Sequence, residues 1–320
     1  MNDRPNVLWI MADQLRFDYL SCYGHPHLHT PHIDALAQRG VRFTNAYVQS
    51  PVCGPSRMSA YTGRYVRSHG STWNGMPLRI GEPTLGDHLR DVGSRAVLVG
   101  KTHMIADAEG MAWLGIDPKS EIGVRRAECG FDIFERDDGL HPDSARQNWS
   151  AYDDYLVAHG YSSDNPWEDF ANSGIDPDGE LLSAWLLRNS RLPANVPEEH
   201  SETAYMTNRA MDFMQAAQND DRPWVCHLSY IKPHWPYIVP APYHDMYGHN
   251  QIQPAVRHPA EKHNPHPVYE AYMNNPVGQA FIEEDARLVR NVEKNCIRLP
   301  GGCRNGSATL LLRLRGSELA

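Results

Sequence analysis

No apolar run in this chain of 320 residues is long enough to cross a membrane. The strongest early stretch, residues 7–12, is far shorter than the roughly 20 residues that a membrane-spanning helix needs. Residues 1–5 also lack the character of a secretory signal and lead straight into a predicted strand. We therefore expect a cytoplasmic protein that has no membrane partner.

The chain also has fewer positively than negatively charged residues. The chain has 30 lysines and arginines against 39 aspartates and glutamates, which gives a net charge of −9. Nucleic acids and anionic membranes are poor partners for such a protein, because both attract basic surfaces. A small anionic substrate would need a local positive pocket to overcome this field. Nothing in the composition predicts an oligomeric state.

Cysteines are few, and their spacing matches neither a disulfide framework nor a zinc site. The six lie at positions 22, 53, 129, 226, 296 and 303. The apolar content of 41% is adequate for an ordinary core. The length suits one large domain or two smaller ones.

Residues 51–57, PVCGPSR, combine a thiol, a proline, a hydroxyl and a guanidinium at the start of a predicted helix. We place the helix at residues 56–62 and its end at Gly63, since proline suits a first turn and glycine a C-terminus. The N-terminus of a helix attracts anions and lowers the pKa of a nearby thiol. Cys53 and Arg57 therefore suggest a nucleophile beside an anion clamp, although an isolated cysteine here is often a packing residue.

One rival cysteine chemistry is disfavoured by spacing. Cysteine-dependent phosphatases cradle the phosphate with a longer loop between cysteine and arginine. In this chain only three residues separate Cys53 from Arg57, and the position that would carry the phosphatase arginine is Ser59.

Polar side chains follow each of three predicted buried strands, at residues 6–11, 95–100 and 223–230. Continuous apolar runs of this kind are typical of strands buried on both faces. In open α/β sheets, ligands bind just beyond the carboxyl ends of the strands. Asp13 at such a position is a hard oxygen ligand that suits Ca²⁺ or Mg²⁺, with a turn-forming role as the alternative. The residues at the three strand ends are Asp13 and Gln14, Lys101 and His103, and Lys232 and His234.

Cys-x-Pro-Ser-Arg at residues 53–57 resembles the signature of the sulfatases. Further sulfatase-like runs are TPHIDALA at 30–37, GVRFTNAY at 40–47, Lys-x-His at 101–103 and Lys-Pro-His-x-Pro at 232–236. Asp-Gln at 13–14 instead resembles the phosphonate monoester hydrolase branch of the same superfamily, because sulfatases place two aspartates there. The resemblance implies an α/β fold of the alkaline phosphatase type, with a mainly parallel sheet flanked by helices.

The resemblance also implies a function and a set of roles. Cys53 would be converted to formylglycine by a formylglycine-generating enzyme, and the hydrated aldehyde would attack a sulfate monoester. One divalent metal ion, with Ca²⁺ favoured over Mn²⁺ or Mg²⁺, would assist. The implied metal ligands are Asp13, Gln14 and Cys53; the catalytic residues are Cys53, Arg57, Lys101, His103 and His234; and the substrate-binding residues are Asn74 and Lys232.

Two alternative functions stay open. In the first, the substrate is a phosphonate monoester or a phosphodiester, as the Asp-Gln pair suggests. Alternatively, the chain is an inactive remnant that at most binds anions.

A further family landmark is missing from the sequence. After residue 236 no Asp-His or Asp-Asn pair follows an apolar strand, although family members use such a pair to complete the metal site. We therefore expect a C-terminally truncated protein, with an incomplete catalytic domain over residues 1–290 and an aberrant tail over 291–320. The loss should remove a strand and leave an unpaired sheet edge.

Other predicted elements are a helix over 30–37, a strand over 41–47, a capped helix over 84–91 and an amphipathic helix over 199–217. Residues 104–197 are predicted to be largely irregular and to wall the pocket, with a short helix over 181–187. The histidine-rich segment from 244 to 266 is predicted to be a solvated loop.

Overall fold

The computed structural model describes residues 4–139, 149–247, 251, 258, 263–274 and 308–314. The strands, in chain order, are β1 (Asn6–Ala12), β2 (Arg95–Gly100), β3 (Asp132–Arg136), β4 (Ser173–Ile175), β5 (Leu181–Ser183), β6 (Trp224–Tyr230) and β7 (Ala308–Leu314). The main sheet has the order β3–β2–β6–β1–β7, and β4 pairs with β5 in a separate hairpin. All pairs among β3, β2, β6 and β1 are parallel.

Helices connect these strands. They are α1 (Pro31–Arg39), α2 (Cys53–Thr62), α3 (Val66–His69), α4 (Leu85–Asp91), α5 (Ala108–Trp113), α6 (Glu121–Ala127), α7 (Ala151–Ala158), α8 (Glu202–Ala216) and α9 (Pro267–Met273). Short 3₁₀ turns lie at Phe17–Tyr19, Ser21–Tyr23, Leu187–Asn189, Glu198–His200, Ala217–Asn219 and Tyr243–Asp245, and a π-helical turn lies at Trp167–Ala171.

The central strands carry apolar residues on both faces, and each face packs against helices. Side chains of a strand point alternately to opposite faces of its sheet. Val97 and Val99 of β2 accordingly pack in a cluster with α8, whereas Ala96 and Leu98 pack in a second cluster with α2. A mainly parallel sheet between two helical layers is the predicted α/β fold, and the prediction is confirmed.

The three predicted strands at the site are confirmed with small changes at their ends. The predicted 95–100 is β2 itself, β1 extends to Ala12, and β6 begins at Trp224. The predicted helices over 30–37, 84–91 and 199–217 correspond to α1, α4 and α8. Thr84 caps α4 with a capping box in which its hydroxyl and the Asp87 carboxylate take part.

The signature helix begins earlier than predicted. Helix α2 starts at Cys53, with Val52 as its N-cap, and ends at Thr62, where Gly63 is the C-cap in the left-handed conformation. The carbonyl of Val52 accepts the first helical hydrogen bond, from the N–H of Ser56 at 3.0 Å. The N–H groups before Ser56 have no helical partner in any case, so Pro55 loses nothing by lying inside the first turn.

Two predicted elements are wrong, and so is the largely irregular structure predicted for residues 104–197, which contain α5, α6, β3, α7, β4 and β5. Residues 41–47 form no strand; they are irregular and solvent-exposed, and their alternating apolar side chains have no neighbouring strand to pair with in the described parts of the chain. The helix predicted over 181–187 is replaced by β5 and a 3₁₀ turn, because Leu181 and Leu182 pair with Ile175 and Gly174 across a hairpin.

The edge of β1 is paired, which contradicts the expected open edge. Strand β7 runs antiparallel to β1, from Asn6 opposite Leu314 to Ala12 opposite Ala308. The predicted domain boundary at residue 290 is not tested by this pairing and stays a prediction.

The histidine-rich segment is described only in part. His258, His263 and His266 are exposed and His244 is half-buried, whereas His249 lies outside the described residues. No helix in the described ranges is both long and apolar enough to cross a membrane.

Candidate functional site

The strand register places the predicted site residues side by side. Ala12 of β1 lies opposite Tyr230 of β6, and Gly100 of β2 lies opposite Ser229. The pairing continues one residue further, since Asp13 N–H donates to the Tyr230 carbonyl at 3.1 Å and Lys101 N–H donates to the Ser229 carbonyl at 3.1 Å. The polar residues that follow the strands therefore meet at one edge of the sheet, as predicted.

Asp13 is the centre of this edge. Its Oδ2 lies 2.7 Å from Nζ of Lys101 and 3.3 Å from Nη2 of Arg57, and all three side chains are buried. Burial by itself would raise the pKa of Asp13, but the charges of Arg57 and Lys101 outweigh it and hold the pKa well below its ordinary value. The carboxylate is therefore ionised throughout the neutral range and neutralises part of the positive charge.

Arg57 projects from α2 into the layer beneath the strand ends. Its Nη1 donates to the carbonyl of Lys101 at 2.8 Å and to Oγ of Ser229 at 2.8 Å, and its Nη2 faces Asp13. Its Nε is buried and has no hydrogen-bond partner among the described residues. The guanidinium is thus fixed by Asp13 and Lys101, which follow β1 and β2, and by Ser229 of β6, and it retains one N–H for a further acceptor.

Cys53 is half-buried at the first position of α2. Burial raises the pKa of its thiol, the negative charge of Asp13 adds to this, and the charges of Lys101 and Arg57 oppose it without reversing the shift. The expectation of a thiol pKa lowered by the helix terminus is therefore wrong. The unmodified thiol is held neutral and is a poor nucleophile near pH 7.

Asn74 buttresses the first turn of this helix. Its Oδ1 accepts a hydrogen bond from Gly54 N–H at 2.8 Å. A Cβ on residue 54 would lie 2.8 Å from the same oxygen, so glycine allows the approach. The structure thus places Asn74 beside Cys53, with its carbonyl oxygen occupied, and its predicted contact with substrate remains a prediction.

Two site residues adopt the left-handed conformation that favours glycine. Gln14 has φ of 63° and His103 has φ of 55°. Such backbone conformations cost of order 1–3 kcal/mol and concentrate at functional sites. Gln14 lies two residues after β1 and His103 three residues after β2, and each is held there: Asp138 accepts from His103 N–H at 3.1 Å, and Trp235 N–H donates to Oε1 of Gln14 at 3.4 Å.

The loop after β6 supplies Lys232 and His234. Nζ of Lys232 donates to the carbonyl of Pro236 at 2.8 Å. Nδ1 of His234 donates to the carbonyl of Trp235, which leaves Nε2 as the acceptor of a neutral ring. The charges of Lys101, Asp13 and Lys232 all act on His234, which places the loop over the same edge of the sheet.

The two imidazoles of the site are neutral in the free protein. Burial and the charge of Lys101 lower the pKa of His103 to about 4. Burial and the charge of Lys101 also lower the pKa of His234. The predicted cluster of cations is therefore smaller than the sequence suggests: Arg57 and Lys101 carry charge beside Asp13, and the histidines offer hydrogen bonds.

The described donors do not by themselves fit a divalent cation. Asp13 contributes the one carboxylate, which already holds two cationic side chains, and the amide of Gln14 links Trp235 to the hydroxyl of Tyr237. Across the described ranges, no group of three or more histidine, cysteine, aspartate or glutamate side chains is close enough to hold a metal ion. A hard cation prefers about six or more oxygen ligands. The predicted ligand set of Asp13, Gln14 and Cys53 stays a prediction.

Sequence reasoning missed three residues that support the site. Ser229 accepts from Arg57, Asp138 holds the backbone of His103, and Tyr237 accepts from Nε2 of Gln14 at 2.8 Å. Ser229 was detectable as a hydroxyl at the end of an apolar strand. Asp138 follows β3, whose sequence carries no strong strand pattern, so its position at this edge was not detectable.

Comparison with known proteins identifies the family. The Sulfatase family model matches residues 5–275. The chain is 29% identical over 280 residues to the multifunctional alkaline phosphatase superfamily protein PehA of Trinickia caryophylli, which covers 85% of this chain and 50% of that protein. It is 28% identical over 257 residues to an arylsulfatase of Clostridium perfringens, covering 76% of this chain and 46% of that protein.

The fold is also similar to that of a solved structure. The fold resembles the phosphonate monoester hydrolase SpPMH of Silicibacter pomeroyi with a TM-score of 0.71 and 26% identity, covering 93% of this chain and 56% of that one. The chain thus spans about half the length of the curated relatives it matches. The resemblance seen in the sequence motifs is confirmed: the chain belongs to the sulfatase family.

Proposed function

We propose that the site binds the charged group of a sulfate monoester and that residue 53, as formylglycine, serves hydrolysis of that ester. The observation that carries the proposal is the position of Cys53. It lies at the N-terminus of α2, and the charges that act on it are those of Asp13 and Lys101, which follow the parallel strands β1 and β2, and of Arg57 on α2 itself. Helix termini and strand ends of this kind are favourable places for an anion.

Conversion of residue 53 to formylglycine removes the need for a reactive thiol, because the hydrated aldehyde replaces the thiol as the nucleophile. Sulfatases generally use a formylglycine, whose hydrated aldehyde supplies the attacking hydroxyl and later expels the product. The half-buried position of Cys53 in an intact Cys-Gly-Pro-Ser-Arg signature fits this conversion. A formylglycine-generating enzyme is therefore the proposed maturation partner.

The surrounding residues bind and orient the anion. Arg57 has an unpartnered Nε–H for one oxygen, and Lys101 retains N–H groups beyond the one facing Asp13. Lys232 likewise has donors beyond its bond to Pro236. Preorganised donors aimed at developing negative charge are a major source of rate enhancement.

His234 is the proposed proton donor to the leaving oxygen, and its low pKa sets a condition on this role. In the free protein its Nε2 has no proton, because Nδ1 is bonded to the Trp235 carbonyl. A bound anion adds negative charge nearby, which favours the protonated ring. The role therefore requires that substrate binding raise the pKa of His234.

Sulfatases also generally use a divalent metal ion. Asp13 is the described residue best suited to contribute to such a site, with Gln14 and residue 53 as further proposed ligands and Ca²⁺, Mn²⁺ or Mg²⁺ as the ion. Since these donors do not complete a coordination shell, the described residues alone do not form the metal site.

A second candidate substrate is a phosphonate monoester or a phosphodiester. Asp13-Gln14 replaces the two aspartates of sulfatases, and the phosphonate monoester hydrolase of Silicibacter pomeroyi shares the fold at a TM-score of 0.71. One negative charge fewer at this position changes the electrostatic balance of the site. It does not by itself select between sulfur and phosphorus.

The test begins with the maturation step. The chain is coexpressed with a formylglycine-generating enzyme, and mass spectrometry of the peptide that contains residue 53 is expected to show the aldehyde. Hydrolysis of an aryl sulfate, a phenyl phosphonate and a bis-aryl phosphate is then compared. Cys53→Ala should abolish any turnover, whereas Cys22→Ala, at another half-buried cysteine, should retain it.

Binding residues are tested by the same assays. Lys101→Ala and Lys232→Ala should each lower kcat/KM by roughly ten- to a hundredfold, because a charge-assisted hydrogen bond contributes about 1.5–3 kcal/mol. Lys119→Ala, at an exposed lysine, is the matched control. An unmodified Cys53, or turnover that survives Cys53→Ala, would count against the proposal. Anion binding without turnover would favour the inactive remnant.

A further inference from the structure

A buried hydrogen-bond chain lies behind Arg57 that the proposed chemistry does not use. Nη1 of Arg57 donates to the hydroxyl of Tyr61 at 3.2 Å, and this hydroxyl lies 2.9 Å from Nε2 of His227. Nδ1 of His227 lies 3.3 Å from the carbonyl oxygen of Trp9. The side chains of Arg57, Tyr61 and His227 are almost completely buried. The chain of bonds thus links α2, β6 and β1 beneath the site.

The donor and the acceptor of each hydrogen bond in this chain follow from the chemistry of the groups. A backbone carbonyl only accepts, so the proton of the His227 ring lies on Nδ1. Burial and the charge of Arg57 lower the pKa of His227 to about 3, which keeps the ring neutral and Nε2 without a proton. The Tyr61 hydroxyl must therefore donate to Nε2, and its oxygen is left to accept from Nη1 of Arg57, whose two N–H groups it shares with the Lys101 carbonyl and the Ser229 hydroxyl.

Packing fixes the rings that carry these bonds. His227 stacks on Trp9 with 4.1 Å between ring centroids and 27° between planes. Tyr61 meets Trp9 edge to face at 5.7 Å and Phe131 at 5.8 Å. A hydroxyl held in this way cannot swing to another partner, so it offers Arg57 an acceptor at a constant position.

The fixed acceptor matters because Nε–H of Arg57 can meet an acceptor only if the guanidinium keeps one orientation. Its two Nη atoms face Asp13, Lys101, Ser229 and Tyr61, whereas Nε–H is buried with no partner among the described residues. Cys53 lies four residues before Arg57 on α2, and residues at this spacing share a helix face.

We propose that Tyr61 and His227 are positioning residues that hold the Arg57 guanidinium so that Nε–H is presented to an anion beside residue 53. The anion itself rests on the proposed function. The positioning is a property of the anion-free protein and is measurable there.

The experiment follows the Nε–H of Arg57 by ¹⁵N NMR, with the signal assigned by its loss in Arg57→Lys. In the anion-free protein, Tyr61→Phe and His227→Leu are expected to speed exchange of this hydrogen with water at least about threefold, since a hydrogen bond of ordinary strength is lost. His227→Gln keeps an amide oxygen as an acceptor for Tyr61 and is expected to stay close to wild type. Added inorganic sulfate should shift the Arg57 signal, and Tyr61→Phe should weaken its affinity roughly three- to tenfold.

The matched control is Tyr155→Phe, which removes a tyrosine hydroxyl 2.7 Å from Nδ1 of His200, outside the network. A purely structural loss would lower stability in both phenylalanine variants and leave the Arg57 signal unchanged. An unchanged Arg57 signal in folded Tyr61→Phe and His227→Leu overturns the positioning role. If the signal responds to both substitutions but sulfate does not bind even to wild type, the positioning role stands and the proposed function falls.

Discussion

Asp13 is the counter-ion of two buried cationic side chains. It is buried, and its Oδ2 faces both Lys101 and Arg57. Without this carboxylate, Lys101 and Arg57 would repel each other. Among the described residues, neither has a second carboxylate within salt-bridge distance. The residue is therefore as much a structural counter-ion as a proposed metal ligand.

Asp13→Asn should be strongly destabilising, because it leaves two buried positive charges uncompensated. Removing one partner of a buried ion pair costs about 3–5 kcal/mol. Urea unfolding followed by circular dichroism measures the loss. Asp212→Asn removes the exposed partner of Arg209 and should cost less than about 1 kcal/mol. Equal stability of the two variants would show that the charges of Arg57 and Lys101 are neutralised in another way.

His103 predicts a pH dependence of stability. Its pKa is lowered from 6.5 to about 4 on folding, mainly by burial and then by Lys101. Between these values the unfolded chain binds a proton that the folded protein does not, so stability is fully present above about pH 6.5 and falls as the pH drops towards 4. His103→Gln should therefore make the free energy of unfolding, measured by urea titration, fall less steeply between pH 6.5 and 4. The change in slope should be less than about 1.4 kcal/mol per pH unit. His263→Gln, at an exposed histidine, should leave the slope as in wild type.

At the scale of elements, the close contact of β2 with β6 determines where Lys101 lies. Gly100 ends β2 with φ of 104°, and a Cβ on it would lie 2.1 Å from the carbonyl oxygen of Ser229. That same carbonyl accepts from Lys101 N–H. Glycine therefore permits the strand pairing that brings the lysine to Asp13.

Gly100→Ala should disturb this end of the sheet. The variant meets both backbone strain and a clash with backbone atoms that cannot rotate away. Gly179→Ala is the control, since Gly179 has φ of 86° and open space around its would-be Cβ. We expect Gly100→Ala to lower the free energy of unfolding by about 1–3 kcal/mol more than the control. Similar losses in both variants would mean that β2 and β6 separate readily at this point.

At the scale of the whole molecule, the described residues form a sheet with helices on both faces and gather the proposed site at one edge. They include the proposed nucleophile position and the proposed anion-binding groups, and they offer few ligands for a metal. The chain also covers only about half the length of its relatives.

Calorimetric titration of residues 1–320 with Ca²⁺ should therefore give a dissociation constant weaker than about 10⁻⁴ M, because the donors of Asp13, Gln14 and residue 53 are too few for a tight site. Lys101→Met should strengthen the binding, since it removes the ammonium that competes for Asp13. Arg95→Met removes a cation from a pair with Asp220 away from these donors and should have no effect. Micromolar affinity that is lost in Asp13→Asn would show that another segment completes the coordination shell.

Much of the site was predictable because its residues follow long apolar strands. Parallel strands buried on both faces read as continuous apolar runs, and their carboxyl ends meet at one edge by geometry alone. Asp13, Lys101 and the residues after β6 were found in this way. The strand predicted over 41–47 failed because alternation shows only that a segment can pair, and the partner must come from elsewhere in the fold.

The amino-acid sequence by itself determined the family, the central strands and the positions of the polar groups that follow them, since these depend on local patterns and short spacings. Only the tertiary structure decided the charge states and partners at the site. Burial of Cys53 and the charge of Asp13 raise the pKa of the thiol, and burial with Lys101 keeps His103 neutral. The link from Arg57 through Tyr61 to His227 joins residues up to 170 positions apart, and such contacts depend on how the strands and helices pack.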